Sequence, residues 1–560
     1  MEGVIMRTAT GTKLPGRDWG RHLRSFLLLV AAVLVLWGCK ESVAPVAQEP
    51  EEEEEQPFVL TETYTTAEDW NSGTIVNLDS ESVPGQLQLP EPGEVQNRPI
   101  MWIANASEDS LSRWNTDTNR EEARYHTWFG ALANHSIWDG PAPSRTATDL
   151  NGNCYVANRH FDGRPADVIK VFANDWIDRN QNGVMDTSQD LNGDGAISPS
   201  EMLPMTDLNG NGRIDDNEIV DERIAWAASV GTPGGVGRSC AIDLEGNIWL
   251  GLFYTQEYYK LSGEDGTLLA GPIYVYGHSP YGALVDSSGI LWGASLGYTL
   301  LRLDTNTLDV SVLPHSDADY GIALGFDDQG CTHVYKASQS GRTYMEFNAC
   351  TETFSTPAEV YYYSLGVAAD LAGDLFVSES NTGGVRKFDA EGNLLWTATP
   401  QVFTESRGTL VDSSQNVWLV HKDSNRLSKF SGVDGSPLGT VVTGRGPYTY
   451  SDATGLSLFS AAANQGSWKT VLDTRVPTSM WGVVSWGSSE PAGTSISVQV
   501  RSSRDGATWS TAETAVNGVR LSSTPMGQYL EIQVSLRRTD QDVTPVLYDL
   551  TARTLPTPVP

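Results

Sequence analysis

One line of residues recurs through the middle of this chain and constrains its fold more than any other feature. A small residue, an apolar run, an aspartate, a short turn and an aromatic appear as RTATDLNGNCYV from Arg145 and RSCAIDLEGNIWL from Arg238. The line returns as YGALVDSSGILWG from Tyr281, YGIALGFDDQGCTHV from Tyr320, LGVAADLAGDLFV from Leu365 and RGTLVDSSQNVWLV from Arg407. Its first half returns once more as YTYSD from Tyr448. Successive starts lie 93, 43, 39, 45, 42 and 41 residues apart. Each copy reads as strand, turn, strand, because apolar β-formers flank Asp, Ser, Gly and Asn. A third strand follows, as in LLRLDTNT (Leu300–Thr307) and VRKFDAEGN (Val385–Asn393), and a fourth fills the remainder. Four strands in roughly 40 residues make one propeller blade.

The ends of the array complement each other. MWIANASEDSLSRWNTDTN (Met101–Asn119) carries a second and third strand without an inner one, whereas YTYSD supplies an inner strand alone. Joined, they complete a seventh blade and close the ring, which removes the exposed edges of an open array. The sequence therefore predicts an all-β chain with a seven-bladed β-propeller over 96–455. A helical solenoid does not fit the Gly/Asp turns and the scarcity of long 3.6-periodic runs.

This repeat resembles the NHL and streptogramin (virginiamycin B) lyase-like propellers over residues 100–455. The resemblance implies the fold and a site at the mouth of the central channel. In the lyases that site uses histidines and a glutamate, with a histidine at the start of an inner strand. Here the inner strands start with Arg145, Arg238, Tyr281, Tyr320, Leu365, Arg407 and Tyr448, and the catalytic histidine pattern is not matched. Arginine offers a planar fork to carboxylate or phosphate, and tyrosine offers a stacking face with a hydroxyl. Arg145, Arg238, Tyr281, Tyr320, Arg407 and Tyr448 are therefore the expected ligand-binding residues, for an anionic group, a glycan or a peptide. Pairing of these arginines with blade aspartates, and packing of the tyrosines in the channel, is the structural alternative. His160, Glu379 and His421, on hairpin tips of the same face, are the candidate acid/base groups of an alternative lyase or hydrolase.

The 93-residue gap holds an insert over 174–222. DLNGDGAISPSE (Asp190–Glu201) and DLNGNGRIDDNE (Asp207–Glu218) both match the calcium loop of an EF-hand, with oxygen side chains at positions 1, 3, 5 and 9, glycine at 6 and glutamate at 12. The expected ligands are Asp190, Asn192, Asp194, Ser198 and Glu201, then Asp207, Asn209, Asn211, Asp215 and Glu218. The carbonyls of Ala196 and Arg213 complete two structural Ca²⁺ sites. A weaker third stretch offers Asp178, Asn180, Asn182 and Asp186, but its twelfth residue is Gln189, so it is either a poor site or one that shares Asp190. Pro204 stops any long helix after Glu201, which favours a staple over a switch. The insert is expected on the face opposite the channel mouth.

Residues 1–38 read as a secretory signal. Arg7, Lys13, Arg17, Arg21 and Arg24 precede the apolar run Phe26–Trp37, and Leu36-Trp37-Gly38-Cys39 resembles a bacterial lipobox, in which Cys39 is acylated. The membrane is thus met through the lipid alone, and the location is an outer membrane or cell surface. The acidic run Glu51–Glu55 between prolines predicts a disordered tether over 39–95. Net charge is −33, from 70 acidic against 37 basic residues, which argues against nucleic-acid binding. Export permits a Cys331–Cys350 disulfide across one hairpin, with Cys154–Cys240 as a lesser pairing.

After Asp452 the repeat stops. TSISVQVRSS (Thr494–Ser503) and QYLEIQVSLRR (Gln528–Arg538) alternate apolar and polar, which predicts a β-sandwich over 456–554 and a tail over 555–560. Trp481, Trp486 and Trp509 are expected in its core, with a sugar platform as the alternative. The expected function is a monomeric, calcium-binding, non-catalytic ligand-binding or adhesion scaffold.

Overall fold

The computed structural model describes residues 59–76, 78–90, 98–316, 320–327, 331–338, 341–360, 363–399, 405–538 and 543–556. The signal segment, Cys39 and the polyglutamate run lie outside these residues. Among the described residues no helix is long and apolar enough to cross a membrane.

Among the described residues the chain is all-β, with two α-helices, Ala67–Asn71 and Leu456–Asn464. Its middle is a succession of small antiparallel sheets, each a simple up-and-down meander. Strands Gly237–Ile242, Ile248–Leu252, Glu257–Leu261 and Leu268–Tyr274 form one such sheet in sequence order. Like sheets start at the strands Pro143–Thr148, Pro280–Val285, Ile322–Phe326, Val367–Ala369 and Ser406–Val411. A three-stranded sheet, Ile100–Asn105, Ser110–Asn115 and Arg120–His126, precedes them.

The repeated line has one physical explanation. Its aspartate caps the turn and receives the indole six residues on: Trp249, Trp292 and Trp418 donate Nε1–H to Asp243, Asp286 and Asp412 at 2.9, 2.8 and 2.9 Å. A lysine of the third strand closes the same carboxylate, with Lys260–Asp243, Lys387–Asp370 and Lys429–Asp412 each at 3.0 Å. The turn also needs a left-handed residue, which Gly246, Gly289 and Gly373 supply at φ 82°, 73° and 88°. In the copy without glycine, Gln415 takes that slot at φ 61°.

Neighbouring sheets share apolar cores. Trp249, Tyr258 and Val275 pack on Ala283, Leu291 and Leu301 of the next sheet. The first sheet packs both ways: Trp102 and Leu111 meet Val156 and Ile169, while Met101 and Trp114 meet Trp418 and Leu427. The segment after the last full sheet lies along Ile100–Asn105. Tyr448 N donates to the Ala104 carbonyl at 2.8 Å and Trp102 N to the Ala453 carbonyl at 3.0 Å.

The insert departs from expectation in its position. It leaves the end of strand Ala166–Val171 and returns at Ile224–Val230, but it covers the outer edge of the three-stranded sheet and is not confined to one face. Asp190 N donates to the Glu122 carbonyl at 3.1 Å, and Gly130 N donates to the Met205 carbonyl at 2.9 Å. Met205, Ile214 and Ile219 join the core of Ala123, Tyr125 and Ile169. The reason is that an open edge strand and three apolar side chains both gain from mutual burial.

A second correction concerns the expected tether. Residues 61–64, 74–76 and 87–88 are strands that pair with the C-terminal part of the chain. Trp70 is fully buried, its ring meets that of Trp468 edge-on at 5.0 Å, and its carbonyl accepts from Trp468 Nε1 at 2.8 Å. Tyr64, Leu78, Leu87 and Leu89 are buried in the same core. The acidic composition around this segment masks its evenly spread apolar residues. With them, strands Gln465–Asp473, Trp481–Ser489, Thr494–Ser503, Tyr529–Arg538 and Val546–Thr554 build two antiparallel sheets around one core. Trp481 lies in that core, Trp486 packs against it, and Trp509 does neither.

Candidate functional site

The inner strands bring Arg145, Arg238, Tyr281, Tyr320, Arg407 and Tyr448 into one hydrogen-bonded cluster. Arg238 Nη2 donates to the Tyr281 hydroxyl at 2.6 Å. The Tyr281 and Tyr448 hydroxyls lie 3.3 Å apart, and the Tyr320 hydroxyl is also bonded to that of Tyr448. Arg407 Nη1 donates to the Tyr320 hydroxyl at 3.0 Å. Arg145 Nε donates to the Arg238 carbonyl at 3.0 Å, and its Nη1 donates to the Tyr450 carbonyl. Leu365, the remaining inner-strand start, fills the same apolar cluster as Tyr281, Tyr320 and Tyr448.

Three members were missed by sequence reasoning. Tyr450 lies two residues after Tyr448, on the same side of an extended segment, so the period of two was the available signal. Arg159 belongs to no repeat position and gave none. It is fully buried, donates from Nε to the Ala142 carbonyl at 2.8 Å and from Nη2 to the Ile137 carbonyl at 2.6 Å. Trp138 is 47% exposed, and the guanidinium carbons of Arg159 and Arg238 lie 5.3 and 5.4 Å from its ring centroid. It therefore roofs two arginines at once. The exposed rings of Tyr254 and Tyr298 stand on the hairpin tips of the next two sheets.

The electrostatics of the cluster are unusual. Arg407 has an ion pair with Glu405. Among the described residues no carboxylate lies within 4.0 Å of Arg145, Arg159 or Arg238. Arg145 Nη2, Arg159 Nη1 and the Tyr450 hydroxyl are buried without a hydrogen-bond partner. Buried charges are normally paired, because desolvation costs several kcal/mol per ion. Burial, aided by the charge of Arg238, lowers the Arg159 guanidinium to about 10. Burial alone would raise the Tyr448 phenol, but Arg238, Arg407 and Arg159 outweigh it and hold it at about 8.

The acid/base candidates do not assemble. His160 is buried between carboxylates, with Nε2 2.5 Å from Asp167 and Nδ1 3.2 Å from Asp162. Burial opposes its charge, but the two aspartates prevail and raise it to about 9, so it is an imidazolium at neutral pH. His421 is pushed down to about 4 by burial and sits between the Ser406 and Ser428 hydroxyls at 3.1 and 2.9 Å. Glu379 pairs with Arg386 at 2.6 Å. Each is engaged within its own sheet, and no hydrogen bond joins any two of them.

The two loops with EF-hand spacing, Asp190–Glu201 and Asp207–Glu218, fold as tight turns. Asp190 accepts from the Gly193 and Gly195 amides, both at 2.7 Å, and Asn192 and Asp194 accept from amides two residues on. Glu201 accepts from the Leu191 amide at 3.1 Å and the Ser198 amide at 2.9 Å. In the second loop, Asp207 accepts from Gly210 and Gly212, while Glu218 accepts from the Leu208 and Asp215 amides at 2.7 and 3.0 Å. Asn209 and Asn211 both converge on Asp215 at 2.7 Å. The twelfth-position glutamate thus bridges the amides of positions 2 and 9 in each loop. The donors are hard oxygens in a number that fits Ca²⁺.

The third loop uses the same plan, with a carboxylate that local spacing could not reveal. Asp178 accepts from Asn182 and Gly183, and Asn180 and Asn182 converge on Asp186. The amides of its positions 2 and 9, Arg179 and Asp186, donate at 3.0 and 2.8 Å to Glu222, which is fully buried. Glu222 takes the bridging place that the twelfth residue, Gln189, does not fill, and Asp190 accepts amides of its own loop. Cys331 and Cys350 are joined in a disulfide, whereas Cys154 and Cys240 are free and buried.

The class of protein defined by these features is an all-β, propeller-like fold of small antiparallel sheets. No family model matches the chain, and no curated protein matches it. Among solved structures it is similar to virginiamycin B lyase from Staphylococcus aureus, at 10% identity and TM-score 0.40, over 58% of this chain and 90% of that one. It is likewise similar to a streptogramin B lyase structure, at 12% identity and TM-score 0.40, over 65% of this chain and 95% of the other.

Proposed function

We propose that the protein is an exported, lipid-anchored binding scaffold. In this reading a seven-bladed propeller carries a β-sandwich on one side and captures an anionic ligand, without turning it over, at the arginine–tyrosine cluster. The observation that carries the reading is the set of three buried guanidiniums, Arg145, Arg159 and Arg238, that have no carboxylate partner among the described residues. A carboxylate or phosphate group supplies the missing counter-charge through charge-assisted bonds. The exposed aromatic rings around Arg238 provide stacking for the rest of the ligand. The cores shared between neighbouring sheets, and the closing of Tyr448–Ala453 on Ile100–Asn105, support seven blades.

Calcium in the loops of Asp190–Glu201 and Asp207–Glu218 stiffens the insert, and Glu222 completes a third set of oxygen ligands. Lipidation at Cys39 and a place at the outer membrane or cell surface belong to the same proposal. The lyase or hydrolase alternative gains nothing from His160, Glu379 and His421, which are engaged separately.

Calorimetry with phosphate, acetate and glucuronate tests the reading. Arg238→Gln and Arg407→Gln alter the two arginines nearest solvent while sparing the buried Arg145 and Arg159. At least one anion is expected to bind the wild-type chain and to bind the double variant at least about tenfold more weakly, a loss of about 1.4 kcal/mol. Equal affinity in both proteins removes the cluster from consideration.

A further inference from the structure

A cleft of about 290 Å³ opens where the sheet of Gln465–Asp473, Tyr529–Arg538 and Thr494–Ser503 faces the turns of two neighbouring propeller sheets. It is separate from the arginine–tyrosine cluster and from the calcium loops. One wall is the polar face of that sheet, where alternate residues Lys469, Gln499, Arg501 and Gln533 point the same way, together with Trp509. The other wall comes from the propeller and includes Arg302, Asp304, Asn306 and Thr332.

The chemistry of this cleft differs from that of the axial cluster. Its lining carries three cations, Arg302, Lys469 and Arg501, against four carboxylates, Asp286, Asp304, Glu352 and Glu531. Most of these charges are mutually neutralised. Arg501 grips Glu531 with two bonds, at 2.7 and 3.1 Å, and Lys469 reaches across the cleft to Asp304 at 3.7 Å. Asp286 is buried and held by Trp292 and Thr332 at 2.8 and 3.1 Å. Such walls give an anion no net attraction.

What remains is hydrogen-bonding capacity. The side chains of Gln499, Asn306 and Arg302 line the cleft and make no hydrogen bond among the described residues. Trp509 is the aromatic ring of the C-terminal wall, half-buried, with the Arg501 guanidinium 5.3 Å from its centroid. Unlike Trp481 and Trp486, it contributes nothing to the sandwich core. Amides, hydroxyls and a guanidinium around one flat ring, with charge balanced, match a polyhydroxylated ring that presents an apolar face and polar edges.

We propose that this cleft binds a short neutral oligosaccharide, with Trp509 stacking on a sugar ring and Gln499, Gln533, Asn306 and Arg302 bonding its hydroxyls. The proposal does not depend on the axial site.

The test is calorimetry on the full chain with cellohexaose, laminarihexaose, maltohexaose and chitohexaose, and with a heparin hexasaccharide as charged control. At least one neutral hexasaccharide is expected to bind in the millimolar range or tighter. Trp509→Ala is expected to weaken it at least about tenfold, the order of one aromatic contact, and Arg238→Gln to leave it unchanged. The Gln499→Ala/Gln533→Ala variant carries the same expectation should Trp509→Ala fail to fold. Absence of binding by all four neutral sugars overturns the proposal. So does affinity unaffected by either variant, or tighter binding of the heparin fragment.

Discussion

Replacing Glu222 with glutamine separates a calcium ligand from an ordinary buried carboxylate. Glu222 is fully buried and accepts the amides of Arg179 and Asp186 at 3.0 and 2.8 Å. These two bonds are equivalent to those made by Glu201 and Glu218 in the complete loops. Glutamine keeps one acceptor oxygen and loses the charge, so both amides lose a charged partner and one loses its acceptor. That costs about 1.5–3 kcal/mol in the absence of metal. The calcium-dependent part is larger. At a thousandfold excess over Kd, each ion bound only by the folded state adds about 4 kcal/mol. Glu222→Gln should therefore lower the calcium-induced rise in Tm by roughly a third if three comparable sites contribute. Calorimetric titration of the chelator-treated chain should give one ion fewer than for the wild type. The Asp190→Ala/Asp207→Ala variant should lose the other two. An unchanged ion count in Glu222→Gln refutes the assignment of Glu222, and an unchanged count in the double variant refutes calcium in the loops altogether.

The Tyr448 phenol, held at about 8, should appear as a single early step in absorbance at 295 nm, absent from Tyr448→Phe and shifted upward in Arg238→Gln. Because its folded value lies below the ordinary phenol value of roughly 10, its ionisation adds stability that grows as pH rises from about 8 and is absent below that; a melt series with no difference between wild type and Tyr448→Phe across this window contradicts it. Gln415→Gly should leave stability nearly unchanged, since relief of the left-handed glutamine gains about 1 kcal/mol and loss of the bond from the Leu371 amide to Gln415 Oε1 at 3.0 Å costs about as much; a change in unfolding free energy well beyond about 1 kcal/mol would refute this account of the turn. Trp70→Ala should cost about 3–5 kcal/mol by denaturant unfolding of the C-terminal core, whereas a neutral effect would mean that residues 59–90 do not complete it.

The repeat was legible because each copy must meet the same local demands. An aspartate with a tryptophan six residues later, as in Asp243–Trp249 and Asp412–Trp418, satisfies a turn and an indole together, so the spacing is written into every copy. The inner-strand residues Arg145, Arg238 and Tyr281 could be read from register alone, and so could the oxygen spacing of the loops Asp190–Glu201 and Asp207–Glu218. Local rules do not reach across the chain. Glu222 accepts the Arg179 amide from 43 residues away, and nothing near Gln189 announces it. Arg159 lies outside the repeat, so its position beside Arg238 under Trp138 depends on how two sheets and a loop pack. Residues 59–90 read as tether because they follow the run Glu51–Glu55 and their apolar residues keep no regular period, yet Trp70 finds Trp468 almost 400 residues later. Sequence by itself determined what is periodic: strands, turns, small antiparallel sheets and the oxygen spacing of the loops, all set by short-range geometry. Only the tertiary structure decided which charges remain unpaired, which carboxylate closes the third loop and which tryptophan faces a cleft, because those outcomes depend on burial and on partners that spacing along the chain does not encode.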